Sequence, residues 1–573
     1  MKGFLKKAKA EYHGFVGDTE RASQQPDCKS DRPPPLPTHP NVLQHQRQSE
    51  YPTQSKYQHQ PQSLPGMSLD SPNLIKDPTP EDILRYRYHH GTNLGSIYVL
   101  ERWLHPSLFH DDTQGSSELE AVKGWVEKIG MEATKRKFEE HWRNAVTDAD
   151  IEWLRDRAKC TTIRLPVGYF SLSHPSLTEN TPFSPYHHIY AAAWSSIRTL
   201  ISRLRAHSIG TLLDLHALPG GANKADHSGT NTGVARLWTS SPNRDLGVRC
   251  CQFLAQEVKG GLAGVVGIQV ANEADWESEG MWEWYDDCIA AISEVDASIP
   301  VVISDGWNLG QAIEYSLKKN VAYPDRPTCP IIIDTHHYWT FSDADKQKSP
   351  EEIIQDVDTK LHELDSKEGD VITRGAVQVL IGEYSSVMSE ETWSKAASRS
   401  RSQLTQTFAH RQTHLHTTRT AGSFFWTLNM DWPPGGSWGF RDQTDCGNIV
   451  PPHYSSIPDH EIGTLLQRAQ HRRDERMYKA VTEHVQYWTH LTPNSGAEHW
   501  RYEFGWKVGF GDAYIFFEGR GRQAVRPGNR IGALELWVLK RIRECGFRGR
   551  FVWEFEQGVR RGVGDFGAVV GWF

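Results

Sequence analysis

Two glutamates stand out as groups that could break a covalent bond. Glu273 lies in GIQVANEADW, just after an apolar β-branched run, and Glu383 lies in VLIGEYSSV, after another. Two carboxyl groups in different protonation states can cleave a glycosidic bond. One protonates the departing oxygen, and the other attacks the sugar or activates water. A separation of about 5 Å suits a covalent glycosyl–enzyme route, and about 6.5–9.5 Å suits direct attack by water. On this reading Glu273 is the acid/base and Glu383 the nucleophile, their pKa values pushed apart by the proximity of like charges. Arg164, in TTIRLPVGY, could hold Glu383 ionised through a charge-assisted hydrogen bond.

Asn272 shares the position of Glu273, and the runs LLDLHALPGG and IIIDTHHYW bring His216, His336 and Tyr338 to the same rim. Imidazole and phenol groups suit sugar hydroxyls, which need both donors and acceptors. Trp426, in FFWTLN, offers a flat face to a pyranose ring. The same residues admit other chemistries. Asp214-x-His216 and Asp334-x-His336-His337 could ligate a metal, or the aspartates could simply orient the imidazoles. On the residues alone, a metal-dependent barrel hydrolase and a non-catalytic carbohydrate-binding protein both stay open.

Positioning these groups requires a scaffold that gathers strand ends. The β-rich runs are Gly91–Leu100, Thr161–Val167, Gly210–Leu215, Val265–Val270, Pro300–Ser304, Ile331–Asp334, Val377–Ile381 and Gly422–Thr427, eight in all. Between them, stretches such as Tyr190–Ser208 and Met281–Ser298 carry apolar residues at helical spacing. The alternation predicts an α/β fold, a (β/α)8 TIM barrel over residues 81–452, with function at the C-terminal ends of the strands. Strands four and seven lie across the ring, so Glu273 and Glu383 would face one another. A doubly wound open sheet also alternates, but no Gly-rich phosphate fingerprint follows the first strand.

The flanking segments read differently. Residues 21–80 hold 12 of the 31 prolines, nine glutamines and only two aromatics, Tyr51 and Tyr57, so residues 1–80 are expected to be largely disordered. Within them Phe4, Ala8, Tyr12 and Phe15 share one face of a short basic amphipathic helix. Such a helix, over residues 1–16, could lie on an anionic membrane or be merely solvated. Residues 453–573 lack β/α alternation, and Ile462–His490 reads as helix, so a mostly helical extension packing on the barrel is expected.

Composition narrows the function classes. With 63 Lys+Arg against 71 Asp+Glu the net charge is −8, which argues against nucleic acid as a partner. Apolar residues are 38% of the chain, enough for a large core, and no run is long enough to span a membrane. The eight cysteines, Cys250 and Cys251 adjacent, show no zinc-like grouping and are expected to be reduced thiols. The N-terminus lacks the apolar core of a secretory signal, so a cytoplasmic location is expected. No cofactor and no obligate protein partner are indicated.

The chain from about Tyr86 to Gly447 resembles glycoside hydrolase family 5, in its fungal exo-β-1,3-glucanase branch. GTNLGSIYVLERWLHPSLF, RLPVGYF, DLHALPGGAN, GIQVANEADW, DTHHYWTFS, IGEYSS and FFWTLN carry the resemblance in order. EHWRYEFGW and FVWEFEQG look like the C-terminal extension of the intracellular fungal members. The resemblance implies retention of configuration on a β-glucoside or β-glucan, with Glu273 as acid/base and Glu383 as nucleophile. It also implies Asn272 at the sugar 2-hydroxyl, Arg164, His216, His336 and Tyr338 lining the −1 site, and Trp426 as its floor. Relatives acting on lipid-linked glucose keep a steryl glucoside or glucosylceramide substrate as an alternative, worked at a membrane. Two departures mark this chain: Ala274 follows Glu273 where secreted relatives have Pro, and His227 stands where they have Asn.

Overall fold

Runs such as Val301–Ser304 (VVIS) are β-branched and buried on both faces, as a parallel strand between a barrel interior and a helical layer requires. The computed structural model describes residues 75–572, apart from residues 366, 368, 398, 494–495 and 520–528. The amphipathic segment over residues 1–16 and nearly all of the expected linker lie outside the described residues.

Eight parallel strands close a barrel in chain order. They are β1 (His89–Asn93), β2 (Thr162–Gly168), β3 (Gly210–Ala217), β4 (Val265–Gln269), β5 (Val301–Ser304), β6 (Ile331–Trp339), β7 (Val379–Met388) and β8 (Gly422–Phe425). The ring closes through β1, with Gly91 opposite Thr162 of β2 and His89 opposite Gly422 of β8. Outer helices bury one stripe each. Ala193–Ala206 buries Trp194, Ile197, Leu200, Ile201 and Leu204, starting three residues later than the apolar spacing suggests.

Four strand boundaries differ from the sequence expectation in a way that matters for the site. β1 stops at Asn93, and Leu94 and Ile97–Leu100, expected as strand, form a buried loop. Alternation cannot separate a strand from an apolar loop packed under a barrel rim. β6 and β7 run longer than expected, to Trp339 and Met388, and β3 reaches Ala217. His216, His336, Tyr338 and Glu383 are therefore strand residues rather than loop residues.

The N-terminal ends of the strands are closed from below. A short helix, Pro80–Tyr86, is set by a capping box between Thr79 and Asp82. Its Ile83 and Tyr86 join one buried cluster with Leu212, Val266, Val302, Ile332, Leu380 and Phe424 of the strands. The same cluster takes in four C-terminal helices: Asp459–Leu491, Trp500–Glu518, Leu534–Cys545 and Val552–Val570. Their buried polar groups are paired. Asp512 accepts a two-pronged bond from Arg541 (2.6 and 2.8 Å) and one from the Trp537 indole (2.9 Å). His484 and His499 bracket one oxygen of the buried Glu554, at 3.1 and 2.8 Å. Seven cysteines among the described residues are free thiols; Cys251 and Cys288 stand with sulfurs 3.7 Å apart.

Helices Trp500–Glu518 and Val552–Val570 cross unusually closely, because each carries a Gly-x-x-x-Gly pair. A Cβ on Gly505 or Gly509 would strike the carbonyls of Phe555 or Val559, and one on Gly558 or Gly562 would strike those of Tyr502 or Trp506. Gly564, on the same helix, faces open space. Gly558→Ala is therefore expected to lower the unfolding free energy by about 1–3 kcal/mol through overpacking. Gly564→Ala is expected to be neutral or to stabilise by up to about 1 kcal/mol. Denaturant unfolding of the two variants checks the difference.

Candidate active site

Arg164 rises from the middle of β2 into the barrel and is completely buried. Its guanidinium reaches five side chains. Nη1 donates to Asn93 Oδ1 and Glu383 Oε1, both at 2.9 Å, and Nε to Gln269 Oε1 at 2.9 Å. Nη2 donates to Asn272 Oδ1 at 2.8 Å and lies 3.0 Å from Asp214 Oδ2. Burial alone would pull its pKa down, but Asp214, Glu383 and Asp334 together outweigh that and push it up. The cation is fixed.

Glu383 is held at both oxygens, Oε1 by Arg164 and Oε2 by the Tyr338 hydroxyl at 2.8 Å. Burial, and then the Glu383 charge, raise the Tyr338 pKa well above the phenol range, which keeps that hydroxyl a donor. His336 lies between carboxylates. Its Nε2 is 3.0 Å from Asp334 Oδ2, its Nδ1 2.9 Å from Glu273 Oε1 and 3.5 Å from Glu383 Oε2. Burial disfavours its charge, yet the surrounding carboxylates raise its pKa well above the usual value.

Glu273 stands four residues beyond β4, on a loop where its own φ is +43°. That left-handed conformation is uncommon for a residue with a Cβ. Two backbone bonds hold the loop, Ala274 N–H to Ser304 Oγ at 3.2 Å and Asp275 N–H to the Ala222 carbonyl at 3.0 Å. The first accounts for one departure from the secreted pattern, since a proline at 274 has no N–H to give. The loop brings an oxygen of Glu273 within 4.8 Å of an oxygen of Glu383 and of the His336 ring. Burial would raise the Glu273 pKa, but hydrogen bonds from His227 and His336 outweigh it and hold the carboxyl well below its ordinary range.

The other expected site residues meet here as well. His216 Nδ1 is 2.7 Å from Asp214 Oδ2, and its Nε2 lies 3.4 Å from Asn272 Nδ2. Its ring stacks on Trp426, with centroids 5.8 Å apart and 13° between planes. Gly95 makes room for that indole, which a Cβ there would strike. Asn272 is buried, tied to Arg164 through its carbonyl oxygen.

Two groups escaped the sequence reading. Glu101 accepts from the Trp103 indole at 2.8 Å, and burial raises its pKa, with His227, His216 and Glu383 in its field. It sits just past the stretch expected to be β1, so its place on a rim loop was hidden. An aromatic rim also surrounds the mouth. Trp307 stands 6.3 Å from the His336 ring and is 48% exposed, and Trp438 contacts Tyr338 and Phe341.

The aspartates expected as possible metal ligands are otherwise engaged. Asp214 pairs with Arg164 and His216. Asp334 accepts from Gln269 Nε2 and Gly382 N–H, both at 2.7 Å, and from His336. A guanidinium at the centre of this donor set repels a metal cation, and the aspartates orient imidazoles instead.

A closed (β/α)8 barrel with two facing carboxyl groups among imidazoles and indoles is the architecture of barrel glycosidases. The sequence profile of the cellulase family (glycosyl hydrolase family 5) matches residues 126–431, just over half of the chain, and the chain belongs to that family. A second profile, the glucan 1,3-beta-glucosidase 3 C-terminal domain, matches residues 469–570, the helices beneath the barrel. An uncharacterised glycosyl hydrolase of Saccharomyces cerevisiae is 29% identical over 89% of this chain and 98% of its own. Glucan 1,3-beta-glucosidase 3 of Schizosaccharomyces pombe is 29% identical over 84% of this chain and 95% of its own. Glucan 1,3-beta-glucosidase of Yarrowia lipolytica is 24% identical over 52% and 68%. The protein is a glycoside hydrolase.

Removing Arg164 would leave Asp214 and Glu383 buried without their cation. Arg164→Met is expected to lower the unfolding free energy by about 3–5 kcal/mol, measured by denaturant unfolding.

Proposed function

We propose that the protein releases glucose from β-glucosides with retention of configuration, acting as an exo-β-1,3-glucanase. The observation that carries the reading is the approach of the Glu273 and Glu383 oxygens to within 4.8 Å. So close an approach favours covalent double displacement over the wider separation, about 6.5–9.5 Å, that inversion uses to admit its water. Glu383, charged and held by Arg164 and Tyr338, attacks the anomeric carbon. Glu273 protonates the leaving oxygen, then takes a proton from the water that hydrolyses the glycosyl ester.

His216 and Asn272 present polar atoms from β3 and the loop after β4, and Trp426 floors the pocket with an apolar face. The 1,3-β-glucan preference rests on the Schizosaccharomyces pombe and Yarrowia lipolytica relatives, glucan 1,3-beta-glucosidase 3 and glucan 1,3-beta-glucosidase. The exposed indole of Trp307 is suited to stack on a sugar or aglycone arriving from outside.

Glucose release from laminari-oligosaccharides, aryl β-glucosides and steryl glucoside, with the anomer followed by NMR, tests the reading. The β-anomer is expected as first product, and α-glucose would overturn retention. Glu383→Ala is expected to reduce turnover to background. Glu273→Ala is expected to slow an alkyl glucoside by about 10²–10⁴-fold, and a dinitrophenyl glucoside far less, because only the alkyl leaving group needs a proton.

A further inference from the structure

Glu273 receives an imidazole on each oxygen. His336 takes Oε1 at 2.9 Å, and His227 Nε2, from the loop after β3, takes Oε2 at 3.3 Å. The two rings are not equivalent. His336 is committed on both nitrogens, and its charge also balances Asp334 and Glu383. His227 Nε2 stands at ion-pair distance from Glu273, while its buried Nδ1 has no hydrogen-bond partner. The proton on His227 can therefore leave without unpairing a second buried carboxylate; the proton on His336 cannot.

We propose that His227 is a positioning residue for Glu273, holding its second oxygen and storing the proton that the acid/base must deliver. The inference rests on Glu273 being the acid/base. In the first half-reaction Glu383 bonds to the anomeric carbon and the carbon–oxygen bond to the leaving group breaks. The departing oxygen takes a proton from Glu273, which has drawn it from His227 Nε2, so the half-reaction ends with Glu273 ionised and His227 neutral. In the second, a water oxygen bonds to the same carbon and the ester to Glu383 breaks. The proton lost by that water passes to Glu273 and on to His227. The net reaction is hydrolysis, with both side chains restored.

The groups facing the His227 ring are Glu273, Glu101, Glu383 and Asp226, all acidic, and His216, whose ring centroid is 5.2 Å away. Burial disfavours its charge, but the bond to Glu273 and the neighbouring carboxylates raise its pKa to about 9. The sign follows. Below that pH the His227–Glu273 pair retains its proton, and above it the pair is empty. His227 therefore extends activity toward alkaline pH for substrates that need protonation.

The experiment compares pH profiles of kcat/KM for the full-length wild type and His227→Asn, using methyl and 2,4-dinitrophenyl β-glucoside. His227→Asn is expected to move the alkaline limb for the methyl glucoside down by about one unit or more, a tenfold loss on that limb. The acid limb and the dinitrophenyl profile are expected to stay in place. Coincident alkaline limbs for the two proteins would overturn the proposal. An NMR titration of the wild-type His227 imidazole is independent of how the variant folds. The pKa is expected above 6.5 and to fall by more than one unit in Glu273→Gln; an unmoved value would also overturn it. A wild type that turns over neither glucoside overturns the acid/base reading and this inference with it, whereas turnover with coincident limbs overturns the inference alone.

Discussion

One buried guanidinium organises the mouth of this barrel. Arg164 sits where five of the protein's polar side chains converge, from β1, β3, β4, the loop after β4, and β7. A charge taken out of water costs several kcal/mol, and only near-complete pairing offsets it. The planar fork of arginine can meet that demand in one orientation, which a lysine ammonium could not do at so many points. The consequence runs in both directions. Arg164 tolerates burial because Asp214 and Glu383 are there, and Glu383 is fixed in place inside the barrel because Arg164 is.

From that fixed charge the site divides into two regimes. Glu383 lies within a strand, with neighbours on both sides and two donors on its oxygens, so its position is set by the barrel itself. Glu273 lies on a loop in a left-handed conformation, secured by an N–H that Ala274 retains and by the carbonyl of Ala222. Its partners are titratable imidazoles instead of a permanent cation. In the proposed mechanism the nucleophile keeps one position through the turnover, whereas the acid/base must give and take a proton; the rigid and the titratable environments suit those two proposed roles.

Much of this was legible in the sequence, because strand ends in a barrel converge and the residues at those ends could be named. Glu273, Glu383, Arg164, Asn272, His216, His336, Tyr338 and Trp426 do come together. The reading failed where polarity and burial part company. LGSIYVL is as apolar as a strand yet forms a buried loop, which hid Glu101 on the rim. HHYW and GEYSSVM do not look like buried strand, yet β6 and β7 continue through them. His227 was visible only as a departure from a pattern; its approach to Glu273 depends on how the loop after β3 folds back over the mouth, which no local periodicity encodes.

The C-terminal helices bear on function by exclusion. They meet the barrel at the N-terminal ends of the strands, through a cluster that includes Leu212, Val302 and Leu380. Glu273 and Glu383 lie at the opposite end, so the helices contribute no wall to the sugar pocket. Their close Gly-mediated crossing and paired buried charges make a stiff layer under the barrel. Such a layer replaces with packed apolar surface what would otherwise be an open barrel floor. Substrate selection must then arise from the loops at the opposite end of the barrel, which include both positions, His227 and Ala274, named as departures from the secreted pattern. Differences in substrate among family members that share this extension should therefore be sought at the mouth, around His227 and Trp307, rather than in the extension they have in common.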